Sequence, residues 1–230
     1  MESLILIISW LDAVVFGALA VVSFRRWRRD GGSAVGWLAA TFAVLAFVVI
    51  FGVFSPDESD ATVMQVLSRL VIATLVLFPY FLFRFMTALR PVGRAVEVLA
   101  GGLTTACVLA SAFLPVAAEE EAPEGFFVFF IALVLIQWTV LSTFVAGRLW
   151  RMGSDQPSIV RRRMRLLSLG SAALNLGLIL AGLTSGVESS GLSLVIQLLA
   201  VSSALLFFAG FAPPGFLRIL WRREEQEELR

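Results

Sequence analysis

Apolar residues in this chain are gathered into seven runs, Leu4–Phe24, Ala34–Phe54, Val63–Met86, Ala95–Leu114, Phe126–Ala146, Leu166–Leu183 and Leu192–Phe211, each parted from the next by a short polar stretch. A helix crosses a bilayer with about 20 residues at roughly 1.5 Å of rise each. The runs have that length, and a helix apolar on all sides has no aqueous face to present. The pattern predicts an all-α polytopic membrane protein: a seven-helix transmembrane bundle over residues 1–211 and a juxtamembrane connector helix over 212–230. The first run follows Met1 and Glu2 with no basic leader and no small-residue cleavage site, so it is read as a retained helix and not as a signal peptide.

The polar stretches alternate in charge. The stretch after the first run carries Arg25, Arg26, Arg28 and Arg29, and that after the third carries Arg84, Arg90 and Arg94. The stretch after the fifth carries Arg148, Arg151, Arg161, Arg162, Arg163 and Arg165, and the tail carries Arg218, Arg222, Arg223 and Arg230. Of 18 basic residues only Arg69 lies elsewhere. The intervening connections hold Asp57, Glu58, Asp60, Glu119, Glu120, Glu121, Glu124 and Glu188 and no base. The positive-inside rule then predicts an N-terminus outside and a C-terminus in the cytoplasm of a cell membrane, which an odd number of crossings satisfies. Trp27, Trp37, Trp150 and Trp221 fall at the arginine-bearing boundary, where an interfacial aromatic belt belongs.

Composition agrees with the membrane class and narrows the chemistry. Hydrophobic residues make up 59% of the chain, and its mean hydropathy is +0.90. Cys107 is the single cysteine and histidine is absent. These two facts exclude an intrachain disulfide, thiolate clusters, histidine-ligated metals and Ser-His pairs. Lysine is absent too, so no retinal Schiff base can form. Asp12 is the one aspartate inside a run, short of the pair that an intramembrane aspartyl protease needs, and the stretch Gly182–Gly186 has no histidine base for a serine nucleophile. No phosphate-binding glycine loop is present. The connections are too short for a catalytic domain, and in that between the fifth and sixth runs Asp155 and Ser158 are plausible N-caps. The residues present therefore read as non-enzymatic, with no cofactor or metal, the bilayer as partner, a homodimer possible, and no nucleic-acid partner.

The polar residues inside the runs are the candidates for function. Asp12, Arg69, Gln137, Asn175 and Gln197 are the main ones, and an arginine in hydrocarbon costs about 3 kcal/mol on insertion scales. Arg69 lies roughly 9 Å and Asp12 roughly 13 Å from the outer boundary at the helical rise. Those depths suit an ion pair with Gln197 at a similar level, while a packing pair or an Arg69 that snorkels alone are the structural alternatives. Gln137 and Asn175 suit interhelical hydrogen bonding as well as ligand contact. Pro79 removes an amide donor within the third run and predicts a kink or hinge there. Phe126, Phe127, Phe129 and Phe130 read as lipid-facing. A small transporter or channel with a path near Asp12 and Arg69 is the competing reading. Against it stand the few polar residues and a repeat limited to Trp10 and Phe16 echoing Trp138 and Phe144.

After Phe211 the pattern changes. Pro213 and Pro214, followed by Gly215, end the last helix and place a bend before FLRILWRREEQEELR. There Leu217, Leu220 and Trp221 can lie on the membrane while Arg218, Arg222 and Arg223 meet anionic headgroups. Three segments carry a resemblance to a known family: LFPYFLFRF (Leu77–Phe85), VRRRMRLLSLGSAALN (Val160–Asn175) and FFAGFAPPGFLRILWRREEQEELR (Phe207–Arg230). They resemble the N-terminal seven-helix membrane region of actinobacterial sensor proteins. That resemblance implies a sensory input module, of a sensor histidine kinase or a related signalling protein, joined to a downstream cytoplasmic PAS, GAF, histidine-kinase or diguanylate-cyclase domain. The family's phosphoacceptor histidine and nucleotide motifs have no counterpart in these residues, so no catalytic role transfers.

Overall fold

A computed structural model describes residues 2–54, 61–113, 124–154, 156–184, 190–217 and 219–221. Every element among them is helical: α1 (Glu2–Asp30), α2 (Ser33–Phe54), α3 (Ala61–Leu89), α4 (Arg94–Ala112), α5 (Glu124–Ser154), α6 (Ser158–Leu183) and α7 (Ser190–Phe211). All seven are long and apolar enough to cross a membrane. No more than 39% of the apolar window of any of them is fully buried, so each span keeps apolar side chains partly or wholly open at its surface. Leu99 at 72% exposure and Phe113 at 75% are two of many large apolar side chains left on the outside of these helices, and a bilayer is the solvent that suits such a surface.

The helices overrun the apolar runs at their arginine-bearing ends. α1 continues from Phe24 through Asp30, where Gly31 at φ 68° takes the left-handed position and its amide donates to the Trp27 carbonyl at 2.8 Å. Arg28 and Arg29 in that last turn complement the negative end of the helix dipole. α5 likewise reaches Ser154, and α6 begins two turns ahead of Leu166. Its N-cap is Pro157, without a side-chain cap. Ser158 is therefore the first helical residue and not the cap, and its buried hydroxyl has no partner among the described residues. Asp155 lies outside the described residues.

Contacts divide the chain into two units, Phe16–Leu141 and Met1–Val15 with Ser142–Arg230. In the first, α3 packs on α2 and on α4. Its interior holds Phe16, Phe42, Phe78, Phe83 and Trp138, all at most 1% exposed, with Trp37 on Phe81 at 5.7 Å between ring centres. Arg84 sits 5.4 Å over the Trp37 ring and 3.7 Å from Glu97 in the first turn of α4, tying α2, α3 and α4 at one end. Phe127 and Phe129 are exposed at 48% and 57%, but Phe130 is buried at 6%: it stands one helical turn further along α5 than Phe127, where the helix is covered, a correction to the lipid-facing expectation.

In the second unit α6 and α7 form the main packed pair. A Cβ on Gly170 would stand 3.3 Å from the Ser203 carbonyl, and one on Gly210 would stand 3.1 Å from the Leu167 side chain. These glycines let the two backbones approach, as small residues do where lipid supplies no hydrophobic drive for helix pairing. Past α7 the segments 215–217 and 219–221 are helical; Phe216, Ile219 and Leu220 are exposed while Trp221 turns inward at 6% exposure.

Candidate functional site

Among the described residues, polar side chains join helices within each unit. In the unit Phe16–Leu141 they gather around Gln137 of α5, whose side chain is completely buried. Its Nε2 donates to the Val76 carbonyl of α3 at 3.0 Å and to Thr104 Oγ1 of α4 at 3.2 Å. Thr104 in turn donates to the Ala100 carbonyl at 2.8 Å, so its hydroxyl hydrogen is used and a lone pair is left for Gln137. Because the Val76 carbonyl can only accept, the amide nitrogen must be the atom facing it.

Val76 lies in the turn before Pro79. Proline has no amide hydrogen and its ring presses on the carbonyl four residues back, at Leu75, so the ladder of α3 is weakened in this turn. α3 nevertheless runs through Pro79 as one helix, and the adjacent Val76 carbonyl is the one that Gln137 reaches. One turn from Thr104, the Cys107 thiol is 3.8 Å from the Leu133 carbonyl of α5. Trp138 stacks on Phe78 with ring centres 5.0 Å apart. Two atoms of this constellation are buried with no hydrogen-bond partner among the described residues, Gln137 Oε1 and Trp138 Nε1. An orphan acceptor and an orphan donor in hydrocarbon are costly, and they mark a place where a further hydrogen-bonding group would be gained.

In the other unit the polar contacts follow α6. Ser168 donates to the Ala146 carbonyl of α5 at 2.8 Å, and Ser203 of α7 donates to the Gly170 carbonyl at 2.8 Å. At the end of α7 stands Arg163. Its Nε donates to the Gly210 carbonyl at 2.8 Å and its Nη2 to the Phe211 carbonyl at 3.0 Å. For Gly210 the chain explains why the carbonyl needs a donor. An α-helix would satisfy the carbonyls of Ala209 and Gly210 with the amides of residues 213 and 214, and both residues are proline. At Gly210 the guanidinium supplies the donor that Pro214 withholds, and its second arm takes the Phe211 carbonyl next to it, as a charge-assisted fork. Gly210 makes this possible, since a Cβ there would meet the Arg163 carbonyl at 3.2 Å.

Of the residues singled out from the sequence, Asp12 is 2% exposed and its Oδ1 has no partner among the described residues. Asn175 on α6 is buried, with Oδ1 in the same condition, and Gln197 on α7 is half-buried. Arg69 is half-buried on α3 and belongs to the unit Phe16–Leu141, while Asp12, Asn175 and Gln197 belong to the other. Pro79 is buried in α3, while Pro213 and Pro214 follow α7 directly. Arg218, Arg222 and Arg223 lie outside the described residues. Arg163, Gly210, Thr104, Ser168 and Ser203 were not marked by the sequence. For Arg163 a signal existed, since two consecutive prolines at a helix end orphan two carbonyls and call for a long cationic donor nearby.

Both constellations join helices by hydrogen bonds, and among the described residues neither sets a nucleophile beside a base. Among the described residues no group of three or more Asp, Glu, Cys or His side chains is placed to hold a metal ion. Compared with known proteins, the chain matches no family model, no curated protein and no solved structure.

Proposed function

We propose that this chain is the membrane-embedded sensory input module of a bacterial signalling protein, with its arginine-bearing connections and C-terminus in the cytoplasm. The observation that carries this reading is the Arg163 fork at the exit of α7. A helix that merely terminates a bundle can leave its last carbonyls to water or headgroups. Here a charged side chain of α6 holds those carbonyls at the point where the chain turns through Pro213 and Pro214 toward the tail. The angle at which the tail leaves is thereby tied to the packing of α6 on α7. A shift of α6 along the glycine-lined contact moves Arg163, and with it the start of the tail.

The input is assigned to the buried polar atoms that lack partners, Gln137 Oε1 in one unit and Asp12 and Asn175 in the other. A stimulus that satisfies such an atom gains differential binding energy for one packing over another, which is the requirement for any ligand-driven shift. The three segments that resemble actinobacterial sensor regions support the same reading, since two of them contain Arg163 and its acceptors.

Two measurements test it. Reporter fusions after Arg29, Arg94 and Arg151 are expected to report the cytoplasm, and fusions near Asp60, Glu121 and Glu188 the outside; one reversed site breaks the orientation. In the natural gene product, Arg163→Gln is expected to change the basal output of the domain that follows Arg230 while insertion and protein level stay intact. A stop codon directly after Arg230, or an unchanged output, overturns the sensing reading.

A further inference from the structure

At the arginine-bearing end of the α1–α2 pair lies a groove of 690 Å³ that neither polar constellation uses. Its floor is built from small side chains, Ala20 of α1 with Ala39 and Ala43 of α2. On α1 the apolar wall continues through Val21 and Phe24, which are 51% and 48% exposed, so the groove opens sideways to the surroundings of the helix pair. At its mouth stand Arg25, Arg28 and Arg29. These α1 positions recur at three- and four-residue spacing, which places the apolar wall and the arginines on one face, one above the other.

The charges at the mouth are not balanced internally. Among the described residues Asp30 is the one carboxylate paired with them, and it is shared by Arg26 at 3.4 Å and Arg29 at 2.8 Å. Arg25 and Arg28 have no carboxylate partner among the described residues. The geometry of the end is fixed from α2: the Trp27 indole lies against Gly36, where a Cβ would stand 2.8 Å from Nε1, and Phe24 packs on Trp27 with ring centres 5.7 Å apart. The change from Phe24 to Arg25 is also the point at which the apolar run ends, the level of the boundary between hydrocarbon and headgroups in a spanning helix.

We propose that this groove binds one anionic glycerophospholipid, its phosphate on Arg25, Arg28 and Arg29 and an acyl chain laid over Ala20, Ala39 and Ala43. A slot that is apolar along its length and cationic at one end matches the two halves of such a lipid, and a zwitterionic lipid would bring its own cation to the arginines. The site goes beyond the sensing reading and needs only that α1 and α2 span a bilayer. An arginine near the surface strengthens contact with an anionic lipid about fivefold, so three together give on the order of a hundredfold.

The test uses the full chain, purified from equimolar phosphatidylglycerol and phosphatidylcholine nanodiscs, with the retained lipid counted by native mass spectrometry. The wild type is expected to keep one phosphatidylglycerol in preference to phosphatidylcholine. Arg25→Gln/Arg28→Gln/Arg29→Gln is expected to lose that preference at least tenfold, and Arg90→Gln/Arg94→Gln, which removes charge from another exposed turn, to keep it. Ala43→Phe fills the groove from an exposed position with all arginines intact, and is expected to lose the lipid as well; it decides the matter alone if the triple variant does not fold. Equal loss in the Arg90/Arg94 variant or retention in Ala43→Phe would show diffuse charge attraction and overturn the site. Displacement of the bound species by excess inorganic phosphate would overturn the lipid in favour of a free-phosphate site.

Discussion

Replacing Arg163 by methionine keeps much of the side-chain volume and removes both hydrogen bonds to the end of α7. A hydrogen bond to a charged donor is worth about 1.5–3 kcal/mol, so the pair sets an upper bound of about 6 kcal/mol. Arg163 is half-buried, and water or headgroups will solvate part of what is lost. A net cost of about 2 kcal/mol is therefore expected for Arg163→Met, read as a shift in the unfolding curve of the purified chain in mixed micelles titrated with denaturing detergent. The decisive step is the same substitution in a Pro213→Ala/Pro214→Ala background. There the amide of residue 214 becomes available to the Gly210 carbonyl and the helix can extend past Phe211. The arginine then competes with a backbone donor, and its removal is expected to cost about half as much, a coupling of about 1 kcal/mol. Equal costs in the two backgrounds, within about 0.5 kcal/mol, would refute the idea that Arg163 stands in for the amide that Pro214 lacks.

Three further outcomes are expected from the same unfolding assay. Gln137→Leu loses two interhelical hydrogen bonds and also an orphan acceptor, so its cost stays near 1 kcal/mol, whereas Gln137→Glu sets a carboxylate against the Val76 carbonyl and costs about 3 kcal/mol or more; the reverse order would mean that the amide nitrogen does not face Val76. Gly170→Leu must displace Ser203, Leu206 and Phe207 and is expected to cost about 1–3 kcal/mol, while Gly102→Leu, with nothing within 4 Å of its Cβ position, is expected to be silent; equal effects would deny the close approach of α6 and α7. Asp12→Leu replaces a buried carboxyl group, one oxygen of which has no partner, by an apolar group of similar size and is expected to stabilise by about 1 kcal/mol; a destabilised variant would show that Asp12 is satisfied.

The seven helices were legible because hydrocarbon imposes a length and forbids charge, so each span announces itself as an uninterrupted run. Their ends were not. Hydropathy records where lipid stops, whereas the backbone ladder continues into water wherever the next residues are tolerant of helix, and arginine is among the better helix formers. That is why α1 passes Phe24 and ends at Asp30, just before Gly31, a residue that can take positive φ. Ser158 misled for a related reason. A serine ahead of an apolar run suggests a cap, but Pro157 supplies the fixed φ before the first turn, and the hydroxyl is left inside.

The same overrun explains why Arg163 was not picked out from among the arginines around it. Counted by side of the membrane, the arginines between the fifth and sixth runs form a single class, and the positive-inside rule weighs them alike. Their surroundings differ: Arg148 lies over Phe144 at 5.9 Å, Arg161 donates to the Gln156 carbonyl at 3.2 Å, Arg165 lies over Trp150 at 5.0 Å, and Arg163 reaches α7. With α6 begun at Leu166, Arg163 belongs to a connector and has no helical phase. With α6 begun at Ser158, it falls in the series Arg163, Leu167, Gly170, Leu174, Gly177, spaced alternately by four and three residues. That spacing defines one face of a helix, and Gly170 and Gly177 on it meet Ser203 and Leu199 of α7. The face that packs the two helices thus carries, at its first position, the side chain that caps the partner. The cap and the packing cannot be altered independently, which is the physical reason to expect that a change in how α6 lies on α7 will be felt at Pro213 and Pro214.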